Sequence, residues 1–220
     1  MKIFKFVIMF LLFIPVANAW KADTHKNIIE YIYLNLPSES QNKLNLTKLK
    51  DGSVIPDRDF KDHKRHSYPN SLYEAKKWLE NNDDLSLSLG IASHYITDSF
   101  AAPHNVRGED YYLHAAFEGQ VKNYYPNIKC GDYGFSLEDL NKVTKNSRDW
   151  HLWLNSKNKK IPQKEVDEST KFLFSIILKK LNTTCSNFST EFSEVPYFSK
   201  NKIILIFFIL LIGYISLKLN

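Results

Sequence analysis

Residues 84–119 read DLSLSLGIASHYITDSFAAPHNVRGEDYYLHAAFEG, and this stretch decides the fold. Asp83 or Asp84 caps a helix in which Leu85, Leu89, Ala92 and Ile96 recur at helical spacing and which must stop by Pro103. Asp110 caps the next helix, which runs through Phe117 and Val121. With Leu89, Ile91, Ala92, Tyr95 and Ile96 so close together, the first helix is predicted to be largely buried. Yet it carries His94 and Asp98 four residues apart, on one face. His114 and Glu118 repeat that spacing on the second helix, and His104 sits at the turn between them. A lone pair of this kind is usually an exposed ion pair worth about 0.2–0.5 kcal/mol. Two pairs with a histidine between them, in a buried setting, would carry a large desolvation cost unless a cation compensated them. Helices that each present a nitrogen and an oxygen build metal sites in bundles. Imidazole and carboxylate without thiolate suit zinc in a hydrolytic centre that keeps a position open for water.

Helical signals extend outward from this pair. Asp23 caps a helix carrying Ile28, Ile29, Ile32 and Leu36 and ending at Pro37. Ser71-x-x-Glu74 has the form of a capping box opening a helix through Trp78 and Leu79. Ser136-x-x-Asp139 opens another through Leu140 and Val143, extending toward Trp150. Glu165 to Leu181 carries Phe172, Leu173, Ile176, Ile177 and Leu181. Alternating apolar strands are nearly absent, so the expected fold class is all-α. The 35-odd residues between the first and third helices, Gly52 to Pro69 among them, read as a loop too long to be idle.

Composition narrows the function classes. Seven Gly, eight Pro and 44% apolar residues in 220 exclude a disordered or collagen-like chain. The net charge of +5 invites a nucleic-acid reading. However, Lys2, Lys5 and Lys218 lie in two apolar terminal segments without acids, and the middle of the chain is near neutral. Residues 1–19, a basic start and apolar run closed by Ala17-Asn18-Ala19, resemble a secretory signal whose removal leaves Trp20 first. The uncharged run of 15 residues from Ile203 to Leu217 is expected to anchor residues 20–200 to a membrane from outside the cytoplasm. It is short against the roughly 20 residues of a span. In that setting Cys130 and Cys185, with no CxxC spacing, are expected to pair as a disulfide.

The pattern Leu89-Gly90-x3-His94-Tyr95-x2-Asp98-x4-Pro103-His104, followed by His114-x3-Glu118, resembles the bacterial zinc-dependent phospholipase C family, itself related to single-strand-specific zinc nucleases. The resemblance covers residues 20–125 best. It implies a multi-helix bundle holding three zinc ions in a cleft, with an amino-terminal Trp as one ligand, here Trp20. It implies one site from Asp57, His66, His94 and Asp98, a second from Trp20, His25 and Asp98, and a third from His104, His114 and Glu118. His63 competes with His66, and Asp59 and Asp62 compete with Asp57; the Tyr68-Pro69 that follows favours His66. Asp57 is also the candidate to accept a proton from the attacking water. Arg58, Phe60 and Tyr68 are candidate substrate contacts, and His151 has no assigned role. The implied activity is phospholipase C-type hydrolysis of a phospholipid or membrane substrate, with no protein partner. The alternatives are a single-strand-specific nuclease, with Phe60, Tyr68, Tyr111 and Tyr112 as base platforms, and a zinc-stabilised, non-catalytic binding domain.

Overall fold

The computed structural model describes residues 22–61, 64–143 and 147–185. Among the described residues the chain is helical throughout, without strands. The helices are α1 (Ala22–Asn35), α2 (Ser38–Asn42), α3 (Leu46–Gly52), α4 (Asn70–Glu80), α5 (Leu85–Asp98), α6 (Tyr111–Gly119), α7 (Leu140–Val143), α8 (Ser147–Ser156) and α9 (Lys160–Leu181). A π-helical turn spans Pro56–Phe60, and 3-10 turns span Ala102–Asn105 and Leu137–Asp139. The 1–19 segment, Trp20, Asp62, His63 and the 203–217 segment lie outside the described residues.

Helix α5 is the axis of the fold. Asp84 caps it, its carboxylate accepting from the Leu87 N–H at 3.1 Å, and twelve of its residues are buried, from Ser86 to Asp98 with Leu87 the exception. It packs against α1, α3, α4 and α9. The main core gathers Ile28, Ile29 and Ile32 of α1, Leu89, Ile91 and Ile96 of α5, and Phe172, Leu173 and Ile177 of α9. A smaller cluster of Ala102, Phe117, Trp150 and Trp153 lies under the 102–105 turn and α6. Cys130 and Cys185 are disulfide-bonded across a sequence separation of 55. Closing a loop of that size is worth about 4 kcal/mol in the chain-entropy account.

The α3–α5 crossing depends on two glycines. A Cβ on Gly90 would lie 2.4 Å from the Leu49 carbonyl oxygen, and one on Gly52 would lie 2.5 Å from that of Leu87. Without side chains there, the two backbones meet directly. This close approach sets Ser53, the residue after α3, against the face of α5 that carries His94.

The structure departs from the sequence reading at four places. The long stretch after α1, Gly52 to Pro69 included, is not one loop: α2, α3 and the π-turn at Pro56–Phe60 break it. These elements are too short to show a period, and tertiary packing holds them. The Ser71–Glu74 capping box is not made; α4 starts at Asn70 behind Pro69. Ser71 is instead buried and hydrogen-bonded to Ser99 at 2.6 Å, and Glu74 pairs with Arg65 at 2.7 Å. The Ser136–Asp139 box is present but opens a 3-10 turn, Leu137–Asp139, ahead of α7; Trp150 lies in α8, and residues 144–146 between the two helices lie outside the described residues. The expected membrane anchor, and the membrane-bound location with it, is corrected. Among the described residues no helix is long and apolar enough to cross a membrane. The 203–217 run is itself shorter than the roughly 20 residues a span needs.

Candidate metal centre

Five segments of the chain converge on one buried point. Asp98 stands in the last turn of α5 with both oxygens surrounded by imidazoles. His66 Nδ1 lies 2.7 Å from Oδ2, His94 Nε2 3.2 Å and His104 Nε2 3.8 Å. On the other oxygen, His25 Nε2 of α1 lies 3.1 Å from Oδ1. Asp57 of the π-turn also reaches the cluster, its Oδ1 3.6 Å from His66 Nε2 and 3.7 Å from His94 Nε2. The rings of His25 and His94 stack with centroids 4.1 Å apart. Farther along, His104 Nε2 is 3.4 Å and His114 Nε2 2.8 Å from Glu118 Oε1, and the two rings meet edge-on with centroids 4.7 Å apart. The structure thus brings together eight of the residues expected to ligate: His25, Asp57, His66, His94, Asp98, His104, His114 and Glu118.

Three of the histidines, His25, His94 and His114, have their other ring nitrogen engaged away from the centre, which fixes how Nε2 is presented. His94 Nδ1–H donates to the Ser53 carbonyl at 2.9 Å. Thr97 Oγ1 spends its one proton on the Ser93 and His94 carbonyls, so it accepts from His25 Nδ1–H at 3.0 Å. His114 Nδ1 lies 3.3 Å from Glu109 Oε1 and donates to it. In each case Nε2 is left to carry the lone pair toward the centre, as outer partners of metal-ligating histidines do.

The residues fit a metal. His25 Nε2, Asp57 Oδ1, His94 Nε2, both Asp98 oxygens, His104 Nε2 and Glu118 Oε2 are buried and have no hydrogen-bond partner outside the cluster itself. Buried polar atoms are nearly always satisfied, and here the unsatisfied ones are all lone-pair donors aimed at one another. Three groupings bring candidate ligand atoms within 4.8 Å: His25, Asp57 and His94; His66, His94 and Asp98; His104, His114 and Glu118. Nitrogen and carboxylate donors in such groups, without thiolate, match zinc.

Protons take the cation's place in the zinc-free protein. Burial opposes the charged form of His94, but Asp98 and Asp57 outweigh it and push His94 up to about 9. Burial likewise opposes His114, which the Glu118 and Glu109 carboxylates raise nonetheless. Burial and the neighbouring charge of His94 lower His25, against the pull of Asp98. Burial works against the ionised Asp98 and Glu118, yet the surrounding imidazoles hold both below the usual carboxylate range. A raised folded-state pKa gives stability that is complete below the unfolded value of 6.5 and lost as pH rises through about 9. A lowered one, as for His25, removes stability as pH falls below 6.5. The urea midpoint of zinc-stripped protein is therefore expected to be highest near pH 6.5 and to fall toward pH 9, with the His94 contribution falling by up to about 1.4 kcal/mol per pH unit. A midpoint rising over that interval would contradict this protonated cluster.

Other candidates fall elsewhere. Arg58 is held by Asp51 at 2.7 Å and forked onto Asp59 at 2.8 and 2.7 Å. An exposed ion-pair cluster occupies its guanidinium, and Asp59 with it. Phe60 is 46% exposed and stacks on Trp78 with centroids 6.0 Å apart, while Tyr68, Tyr111 and Tyr112 are exposed. His151 is exposed on α8. Sequence reasoning missed Ser53, Thr97 and Glu109. A backbone carbonyl carries no residue signature, but Thr97 immediately before Asp98 and Glu109 five residues before His114 were visible as possible partners.

A family model described as zinc dependent phospholipase C matches residues 24–184. No curated protein and no solved structure matches the chain. The matched span takes in all eight converging residues. The chain belongs to the zinc-dependent phospholipase C family and, through it, to the zinc-dependent hydrolases.

Proposed function

We infer that the protein is a phospholipase C-type phosphodiesterase that cleaves a phospholipid to diacylglycerol and a phosphorylated headgroup, using three zinc ions. The observation that carries the reading is the convergence of eight buried or partly buried His, Asp and Glu side chains into three groups whose candidate ligand atoms lie within 4.8 Å of one another. Asp57, His66, His94 and Asp98 would hold one ion; His25, Asp98 and the amino group of a chain beginning at Trp20 a second; and His104, His114 and Glu118 the third. Bound zinc supplies Lewis acidity for the phosphoryl oxygens and a water acidic enough to ionise near neutral pH. The protein's own groups do the rest. Ser53 and Thr97 orient His94 and His25. Asp57 would take a proton from the attacking water. The water displaces the glycerol oxygen at phosphorus, and the leaving alkoxide takes up a proton as diacylglycerol departs. The near-neutral middle of the chain favours a lipid over a polyanion.

The test uses chain beginning at Trp20, offered phosphatidylcholine micelles and single-stranded DNA while bound zinc is counted. Phosphocholine release without DNA cleavage is expected. DNA cleavage without lipid cleavage would replace this reading with the nuclease, and three bound zinc ions with neither cleavage would make the protein a binding domain. A methionine left ahead of Trp20 is expected to weaken one zinc site. Full zinc content in that extended form would exclude the amino-terminal ligand.

A further inference from the structure

Glu165 is the buried ionisable group that the proposed chemistry leaves unused. It lies in α9, only 3% exposed. One oxygen, Oε2, accepts the Ala102 N–H at 3.2 Å across a separation of 63 residues. The other, Oε1, is buried without a partner. Ala102 is the first residue of the four-residue turn that delivers His104. The opening N–H groups of a helical turn have no partner within it, and the next residue, Pro103, has no N–H at all. The His104 N–H to Ala101 carbonyl and Val106 N–H to Pro103 carbonyl bonds close the turn at its two ends. The Asn105 side chain ties its far end to Ser99 and Ala101. Its leading end is tied by Glu165.

The geometry points to Glu165 as a positioning residue: by accepting the Ala102 N–H, it fixes where His104 presents Nε2 to Glu118 and His114. Placing a carboxyl group in an apolar interior is costly. Burial, with Asp149 and Glu168 adding negative charge, raises the Glu165 carboxyl well above the ordinary carboxylate range, against the pull of the Ala102 N–H. Glutamine keeps the shape and the accepting oxygen, whereas leucine keeps bulk and loses the acceptor. The inference rests on His104, His114 and Glu118 holding a zinc ion.

The experiment measures zinc retention against a competing chelator, with thermal unfolding alongside, for zinc-loaded wild type, Glu165→Gln, Glu165→Leu and His104→Ala. Glu165→Leu is expected to release one zinc at a chelator concentration about tenfold or more below that needed for wild type, the size of effect outer-sphere partners have. Glu165→Gln is expected to match wild type. A purely structural role would lower the melting temperature without singling out one ion. Glu165→Leu with wild-type retention, or Glu165→Gln failing as badly as Glu165→Leu, overturns the assignment. His104→Ala separates this from failure of the site itself: if it too keeps every ion, the zinc reading of the three residues is at fault. Should Glu165→Leu not fold, hydrogen exchange at Ala102 in zinc-loaded wild type decides, because free exchange there rules out the Glu165 bond.

Discussion

Asp98→Asn is expected to release zinc from the two sites that share this residue and to lower the hydrolytic rate by on the order of a thousandfold or more. Outer partners of metal ligands cost about 10–100-fold when removed. Asp98 stands closer in, with four imidazoles within 3.8 Å of its two oxygens. The amide is nearly isosteric, so the core around α5 need not move. What changes is charge and donor type: one oxygen becomes an NH2 group, which cannot ligate and points protons at the histidines. The same change withdraws the carboxylate that raises His94. Zinc-stripped Asp98→Asn should therefore lose the decline in stability between pH 6.5 and 9 that the zinc-stripped wild type shows. Zinc counting and the rate on phosphatidylcholine check the first claim, and urea unfolding across pH checks the second. Wild-type zinc content in this variant would remove Asp98 from the centre.

Gly90→Ala gives the second large effect, on stability. In an open helix the change would help, since alanine is favoured over glycine by up to about 1 kcal/mol. Here the new methyl would stand 2.4 Å from the Leu49 carbonyl oxygen, a contact that forces α3 and α5 apart. Overpacking of a fixed core costs about 1–3 kcal/mol, and a clash with backbone rather than a flexible side chain falls at the upper end. The clash wins, with a net loss of about 2–3 kcal/mol in urea unfolding. Separation of the two helices also draws the Ser53 carbonyl from His94 Nδ1, so zinc retention should fall although no ligand has been altered. A variant as stable as wild type would show that the crossing relaxes freely.

The parts of this molecule legible in its sequence are those where a cap and a period agree. Asp84 and Asp110 accept from the first-turn N–H groups of α5 and α6 as their positions predict, and the apolar run of α5 announces its burial. The His-x3-acid spacings were legible because helix geometry alone places such pairs on one face. Residues 38–60 were not, because the short α2, α3 and π-turn take their stability from packing, above all at Gly52 and Gly90. Ser71 misled for a related reason: a serine suited to a cap is equally suited to a buried hydrogen bond, and Pro69 had already set the start of α4. The supports of the centre, the Ser53 carbonyl and the distant Glu165, depend on which chain segments meet. Spacing along one segment cannot reveal that.

Helix α5 has almost no face in contact with water, and the same two turns that close the core also end in His94 and Asp98. One inserted residue would rotate everything beyond it by about 100°, unseating apolar side chains and donors together. Drift in a descendant lineage is constrained accordingly: catalysis could fade through changes on α6 or the π-turn, but the central helix can tolerate little alteration without loss of the whole globule.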